Sequence, residues 1–148
     1  MTTTSQGGNS AMDPRRLDEQ SLAGIAREWL SALQKCVRAV DFEKAHPLFA
    51  EDVISFGTHA TVVTGRDALE HEQWRHVWPR IREFTFRLDQ VHCVGGDQSV
   101  VVIAPWDSLG ISSDGTLFSR PGRATIVLTH QSGRWVAAHT HFSLSPRS

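Results

Sequence analysis

RDALEHEQWRHVWP (residues 66–79), followed by RIREFTFRLDQVHCVGGDQSVVVIAPW (residues 80–106), is where the apolar period of the chain changes. In the first segment Ala68, Leu69, Trp74, Val77 and Trp78 fall on or near one side of a helix over 66–79. Gly65 and Asp67 introduce that helix and Pro79 helps stop it. In the second segment Phe84, Phe86, Leu88, Val91 and Val94 approach a two-residue period, which predicts a strand with some irregularity. Gly95-Gly96-Asp97 is a turn signal. Ser99 to Trp106 reads as a strand covered on both faces, with Pro105 near an edge or a bulge.

Upstream, Leu22, Ile25, Ala26, Trp29, Leu30, Leu33 and Val37 form one apolar stripe of a long helix over about 16–39. Asp41 suits the N-cap of a second, short helix whose buried side is Phe42, Ala45, Leu48 and Phe49. Pro47 inside it predicts a kink or a late start. Val53 to Phe56 is a first strand, ended by Gly57 and Thr58. Downstream, 110–115 reads as a loop and 116–129 as a strand broken at Pro121-Gly122. Gln131-Ser132-Gly133 is a hairpin turn and Arg134 to Leu144 the final strand. Helices first and an antiparallel meander after them indicate an α+β fold rather than a parallel βαβ sheet. The expected organisation is a polar, Gly-rich, disordered tail over 1–14 and a single domain over 15–148, with no internal repeat.

The chain has 148 residues, 15 basic against 16 acidic and a net charge of -1, so nothing electrostatic points to nucleic acid. The N-terminus lacks the charged start and apolar run of a signal peptide, and no apolar run approaches the ~20 residues of a membrane span. Cys36 and Cys93 have neither a close partner nor metal-type spacing, and read as buried thiols in a reducing cytoplasm. No Gly-rich phosphate loop, nucleophile elbow or Cys/His zinc signature is present.

The order of elements resembles the nuclear transport factor 2-like superfamily. Three stretches carry the resemblance: Asp41-Phe42-Glu43 running on to Leu48-Phe49-Ala50-Glu51-Asp52-Val53, then Gly65-Arg66-Asp67-Ala68-Leu69, and finally Gly133-Arg134-Trp135 with His139-Thr140-His141-Phe142-Ser143. The last of these is similar to the closing strand of the SnoaL-like branch, and to that of the association domain of calcium/calmodulin-dependent kinase II. The resemblance implies a cone-shaped fold, with three N-terminal helices packed on a curved antiparallel sheet around a pocket. It also implies a homodimer formed through the outer sheet face. Members include isomerases, dehydratases, cyclases and adaptors, so fold alone does not decide function.

His139 and His141 are two apart on the last strand and so share a face, read as common to Trp135, Ala137 and Ser143. Turned into the pocket they are acid/base candidates; turned outward they serve structure or a dimer contact. Asp107 is a third acid/base candidate, and Arg123 a candidate anchor for a carboxylate. Phe56, His59, Trp74, Trp78 and Trp106 are expected to line the pocket, where tryptophans suit a flat or aromatic ligand. No third ligand near the His-x-His pair is fixed by spacing, so neither metal nor cofactor is expected. Ketosteroid isomerase uses an aspartate base and a tyrosine-containing oxyanion hole. Aligning Glu51-Asp52-Val53 with its corresponding stretch sets Gly57 where that base would be, and the chain has no tyrosine. That chemistry in its usual form is therefore excluded, and a scytalone-dehydratase-like site fails on the same missing tyrosines. Two readings stand. One is a small-molecule pocket protein that binds an apolar or aromatic ligand and catalyses a cofactor-independent isomerisation, cyclisation or dehydration. The other is a dimeric association module with a sensing or vestigial pocket.

Overall fold

A computed structural model describes residues 19–96 and 98–146. The expected tail over 1–14 lies outside the described residues, as does Asp97 of the expected turn. Helix α1 (Glu19–Ala39) sets Ala26, Trp29, Leu30, Leu33 and Val37 against the inner face of the sheet. Asp41 caps α2 (Phe42–Ala45), its side chain accepting from the Lys44 N–H at 3.1 Å. Pro47 falls in the 3-10 turn that follows, His46–Leu48, where its missing N–H costs nothing. The Trp29 indole N–H donates to Leu48 O at 2.8 Å, tying α1 to the start of β1 (Phe49–Phe56).

After the short β2 (Val63–Thr64) comes the third helical segment. It is α3 (Arg66–Leu69), a wide π turn over Glu70–Trp74, and α4 (Arg75–Val77), closed by a 3-10 turn at Trp78–Arg80 that contains Pro79. The irregular strand expected after it is two strands, β3 (Ile81–Phe86) and β4 (His92–Gly95), with a 3-10 turn at Leu88–Gln90 between them. β5 (Ser99–Ile111) runs five residues past Trp106, into what the sequence suggested was loop. β6 (Leu117–Ser119) and β7 (Gly122–Gln131) are separated at Pro121, as the break signal implied. β8 (Arg134–Leu144) closes the chain after a two-residue turn in which Ser132 and Gly133 both have positive φ, 51° and 81°.

The strands form one sheet in the order β2-β1-β8-β7-β5-β3, with β4 and β6 also pairing to β5. The fold is α+β, helices packed on a curved sheet. One expectation is corrected: the sheet is mixed, because β1 runs parallel to β8 while every other pair is antiparallel. β1 is cut off from the meander by the helical segment, so it meets the last strand by a long return rather than a hairpin. A second correction concerns β5. Val100, Val102, Ala104 and Trp106 are buried, but Ile103 on the opposite face is 43% exposed, because the helices cover only one side.

A third correction decides the site. The register of β8 against β7 slips between Leu128↔Ala137 and Val127↔His139, so Ala138 is an extra residue. Trp135 and Ala137 therefore do not share a face with His139 and His141. Ala137 is buried in the core, and past the bulge it is Thr140 and Phe142 that point inward.

Gly122 lies opposite Trp106 in the β5–β7 pairing, and a Cβ there would stand 2.1 Å from the indole Cζ2 and 2.4 Å from Ser143 O. Gly122→Ala is expected to destabilise the protein by about 1–3 kcal/mol through overpacking, read by urea unfolding. Unchanged stability would mean that the indole has room to retreat.

Candidate functional site

A cavity of about 60 Å³ lies between the inner sheet face, α1 and the third helical segment. Leu33 and Val37 of α1, Phe49 of β1, Trp74, Trp78 and Phe84 make much of its apolar wall. Trp74 and Trp78, four residues apart, stack with centroids 4.8 Å apart, and Phe49 lies 4.9 Å from Trp74. One end is polar, with Ser55, Thr58, Gln73, Arg120 and Thr140. Ser55 and Thr140 are neighbours across the parallel β1–β8 pair, and their hydroxyls are 2.7 Å apart.

Gln73 fixes the segment that closes this end. Its Oε1 accepts from the His59 and Ala60 N–H groups at 3.1 and 2.6 Å, and its Nε2 donates to Thr58 Oγ1 at 3.2 Å. The amide fills the space beside Gly57: a Cβ there would lie 2.5–2.8 Å from its atoms. Arg120 Nη2 also donates to Thr58 Oγ1, at 3.0 Å. That hydroxyl thus accepts twice, and its own proton is left as a donor. The Arg120 guanidinium lies 5.7 Å from the Trp106 ring, and burial pushes it below its ordinary pKa. The buried Trp106 indole N–H has no hydrogen-bond partner. The polar end therefore presents donors, and among the described residues no Asp, Glu or His lines the cavity.

A cleft of about 200 Å³ adjoins the cavity and shares Thr58, Val77, Ile81 and Arg120 with it. His59, His76 and Arg80 stand along it, the two imidazoles stacked with centroids 4.5 Å apart.

Of the residues singled out in the sequence, Phe56, Trp74, Trp78 and Trp106 line the cavity. Phe56 is at its rim, and its ring meets those of His139 and His141 edge-on at 5.1 and 5.2 Å. His59 lies in the adjoining cleft instead. His139 and His141 turn to the outer face, because the bulge at Ala138 reverses the alternation; His139 Nδ1 is 2.6 Å from Ile54 O. Asp107 also stands outside, in a bidentate pair with Arg87 at 2.8 and 2.8 Å, and the hydrogen bonds from Arg87 hold its carboxyl below the usual range. Arg123 is exposed and its Nε donates to Ser143 Oγ at 3.3 Å. The guanidinium at the cavity belongs to Arg120, three residues earlier. Sequence reading missed Arg120 and Gln73; the one available signal was the Pro121-Gly122 break, which marks where the chain turns inward.

Outside the cavity, Glu70 is buried and bonded on both oxygens, by His46 Nε2 at 2.5 Å and by Arg75 Nε and Nη2 at 2.9 and 2.6 Å. The π turn is what brings Glu70 and Arg75, five residues apart, into contact. No three His, Cys, Asp or Glu side chains among the described residues cluster as a metal site.

The chain belongs to the SnoaL-like domain family, whose model matches residues 26–147. It also shares its fold with solved members of the nuclear transport factor 2-like superfamily. One such protein, from Salmonella enterica, is 14% identical with a TM-score of 0.75, over 88% of this chain and 96% of that one. A ketosteroid isomerase-like protein from Erwinia carotovora is 14% identical with a TM-score of 0.72, over 84% and 97%. The association domain of CaMKII from C. elegans is 17% identical with a TM-score of 0.68, over 84% and 97%. No curated protein matches the chain by sequence. No helix among the described residues is long and apolar enough to cross a membrane.

Burial raises the Glu70 carboxyl, but the hydrogen bonds from His46 and Arg75 outweigh it and hold it below its ordinary value. A carboxyl lowered on folding adds stability above its unfolded pKa of about 4.3 and loses it as pH falls through the folded value. Glu70→Gln is expected to cost about 1–3 kcal/mol at pH 7, with the gap to wild type narrowing below about pH 4. Urea unfolding at several pH values measures this; a gap independent of pH would show that Glu70 acts through packing.

Proposed function

We propose that the protein binds a small apolar or aromatic molecule in the cavity. The observation that carries this reading is the division of the cavity into an apolar wall and a polar end whose donors converge. Such an arrangement buries a ligand's body and orients one acceptor group. The Arg120 charge, which has no counterpart among the described residues, is supplied with one by a bound acceptor. The groups on hand stabilise negative charge on a ligand oxygen rather than abstract a proton, so binding comes before isomerase, cyclase or dehydratase chemistry in this reading. A reducing cytoplasmic location belongs to the same proposal and is in keeping with two free thiols, Cys36 and Cys93.

Because Trp74, Trp78 and Trp106 line the cavity, their fluorescence reports its occupancy. Phenol and benzamide are expected to change the emission of the wild type saturably, and Val63→Phe, which puts a ring into the cavity space, to abolish the change while the fold persists by circular dichroism. An equal response from the filled variant would overturn the reading.

A second reading, association through the outer sheet face, rests on a separate observation. Ile54 and Ile103 are 46% and 43% exposed there, on strands whose other faces are buried. We propose a homodimer through this face. Sedimentation should give a dimer at micromolar concentration for the wild type and a monomer for Ile54→Glu; a wild-type monomer removes the proposal.

A further inference from the structure

The cavity reading leaves the ligand's class open, and the inference here rests on that reading. We propose that the ligand is an organic anion, a carboxylate on a short aliphatic or single-ring body. Its carboxylate meets Arg120 and the Thr58 hydroxyl, and its body lies against the tryptophans.

Charge decides between a carboxylate and a neutral acceptor. Arg120 lines both the cavity and the adjoining cleft, so its guanidinium stands at their junction. Among the described residues it forms no ion pair; its hydrogen bond goes to a neutral hydroxyl and its face to a ring. A guanidinium remains protonated in proteins, so this charge is real and uncompensated. Burial pushes it below its ordinary pKa, with no acidic neighbour to reverse the shift. A ketone or an amide would satisfy the Thr58 O–H, yet would leave the positive charge as it is. A carboxylate supplies both acceptor oxygens and the opposite charge.

The approach to the junction carries a second cation, Arg80. His59, His76 and Arg80 line the cleft beside Arg120, and no Asp or Glu is among its described lining residues. An anion entering there meets no like charge.

Size follows from volume. The cavity of about 60 Å³ is smaller than the roughly 150 Å³ that takes a benzene ring, so a ligand's body extends into the cleft of about 200 Å³ beyond Arg120. That suits a body of one ring or a short chain and excludes a fused polycycle.

Matched pairs test the charge separately from the pocket. Binding of benzoate against benzamide, and of hexanoate against hexanamide, is measured at pH 7 by tryptophan fluorescence on the wild type, Arg120→Met and Arg120→Lys. The wild type is expected to bind each carboxylate about tenfold or more tightly than its amide, with the difference shrinking as salt rises. Arg120→Met should lose the preference, weakening the carboxylate far more than the amide, and Arg120→Lys should keep part of it. Equal affinity for acid and amide on the wild type, or a preference that survives in Arg120→Met, overturns the anion assignment and leaves the pocket standing. If no member of either pair binds the wild type, the pocket reading falls and the anion assignment with it. Should Arg120→Met fail to fold, the wild-type pairs and Arg120→Lys still decide.

Discussion

The indole of Trp106 rests against the backbone of Gly122, and no other residue at 122 would leave it that space. The wall of the cavity depends on this contact. It lets the largest side chain of the protein point inward from the middle of the sheet, where its ring meets Phe84 at 5.4 Å and Phe142 at 6.3 Å. Pro121, one residue earlier, stops β6 from continuing into β7 and removes a ladder donor at the bend. Arg120 sits at that bend. Its N–H donates to Ser108 O, its carbonyl accepts from Ser108 Oγ at 2.7 Å, and its guanidinium is carried toward Trp106. A buried donor without an acceptor costs about 1–3 kcal/mol, so the unpartnered Trp106 N–H is stability withheld from the free protein. The charge of Arg120 is withheld in the same way.

The other wall depends on how β8 is registered. Its parallel pairing with β1 sets Ser55 beside Thr140, and both turn inward. Their neighbours Ile54, Phe56, His139 and His141 then turn outward as a group. Phe56 is the hinge between the two sides, since its ring reaches the cavity rim and also meets both imidazoles. The histidines are thus one ring removed from the cavity. The half-exposed isoleucines of β1 and β5 lie on their side of the sheet.

What was legible in the sequence follows the range over which each signal acts. The stripe from Leu22 to Val37, the Asp41 cap, the Ser132-Gly133 turn and the Pro121 break are local, and each acts where it was read. The bulge at Ala138 has no local marker, because alanine fits either face of a strand, yet one extra residue reverses every side chain after it. That slip is why the face shared by Trp135 and Ala137 does not extend to His139. The parallel β1–β8 pair joins residues about 85 apart and leaves no trace in the period of either strand. Arg120 looked like one more surface cation between Ser119 and Pro121, and Gln73 like a polar residue on a helix. Only the tertiary fold brings them to Thr58.

Gln73 also explains how this site departs from the isomerase pattern that the fold resembles. The sequence alignment sets Gly57 where that pattern has its proton-abstracting carboxylate, and the room beside Gly57 is filled by the Gln73 amide. The amide is fully engaged: its oxygen accepts from two backbone N–H groups, and its nitrogen donates to Thr58. It clamps residues 58–60 across the cavity mouth and holds Thr58 so that the hydroxyl can receive Arg120. Restoring a carboxylate at 57 would evict the amide and release the segment that positions the guanidinium. A side chain at 57 and the Gln73 amide compete for one volume, and here the amide has it.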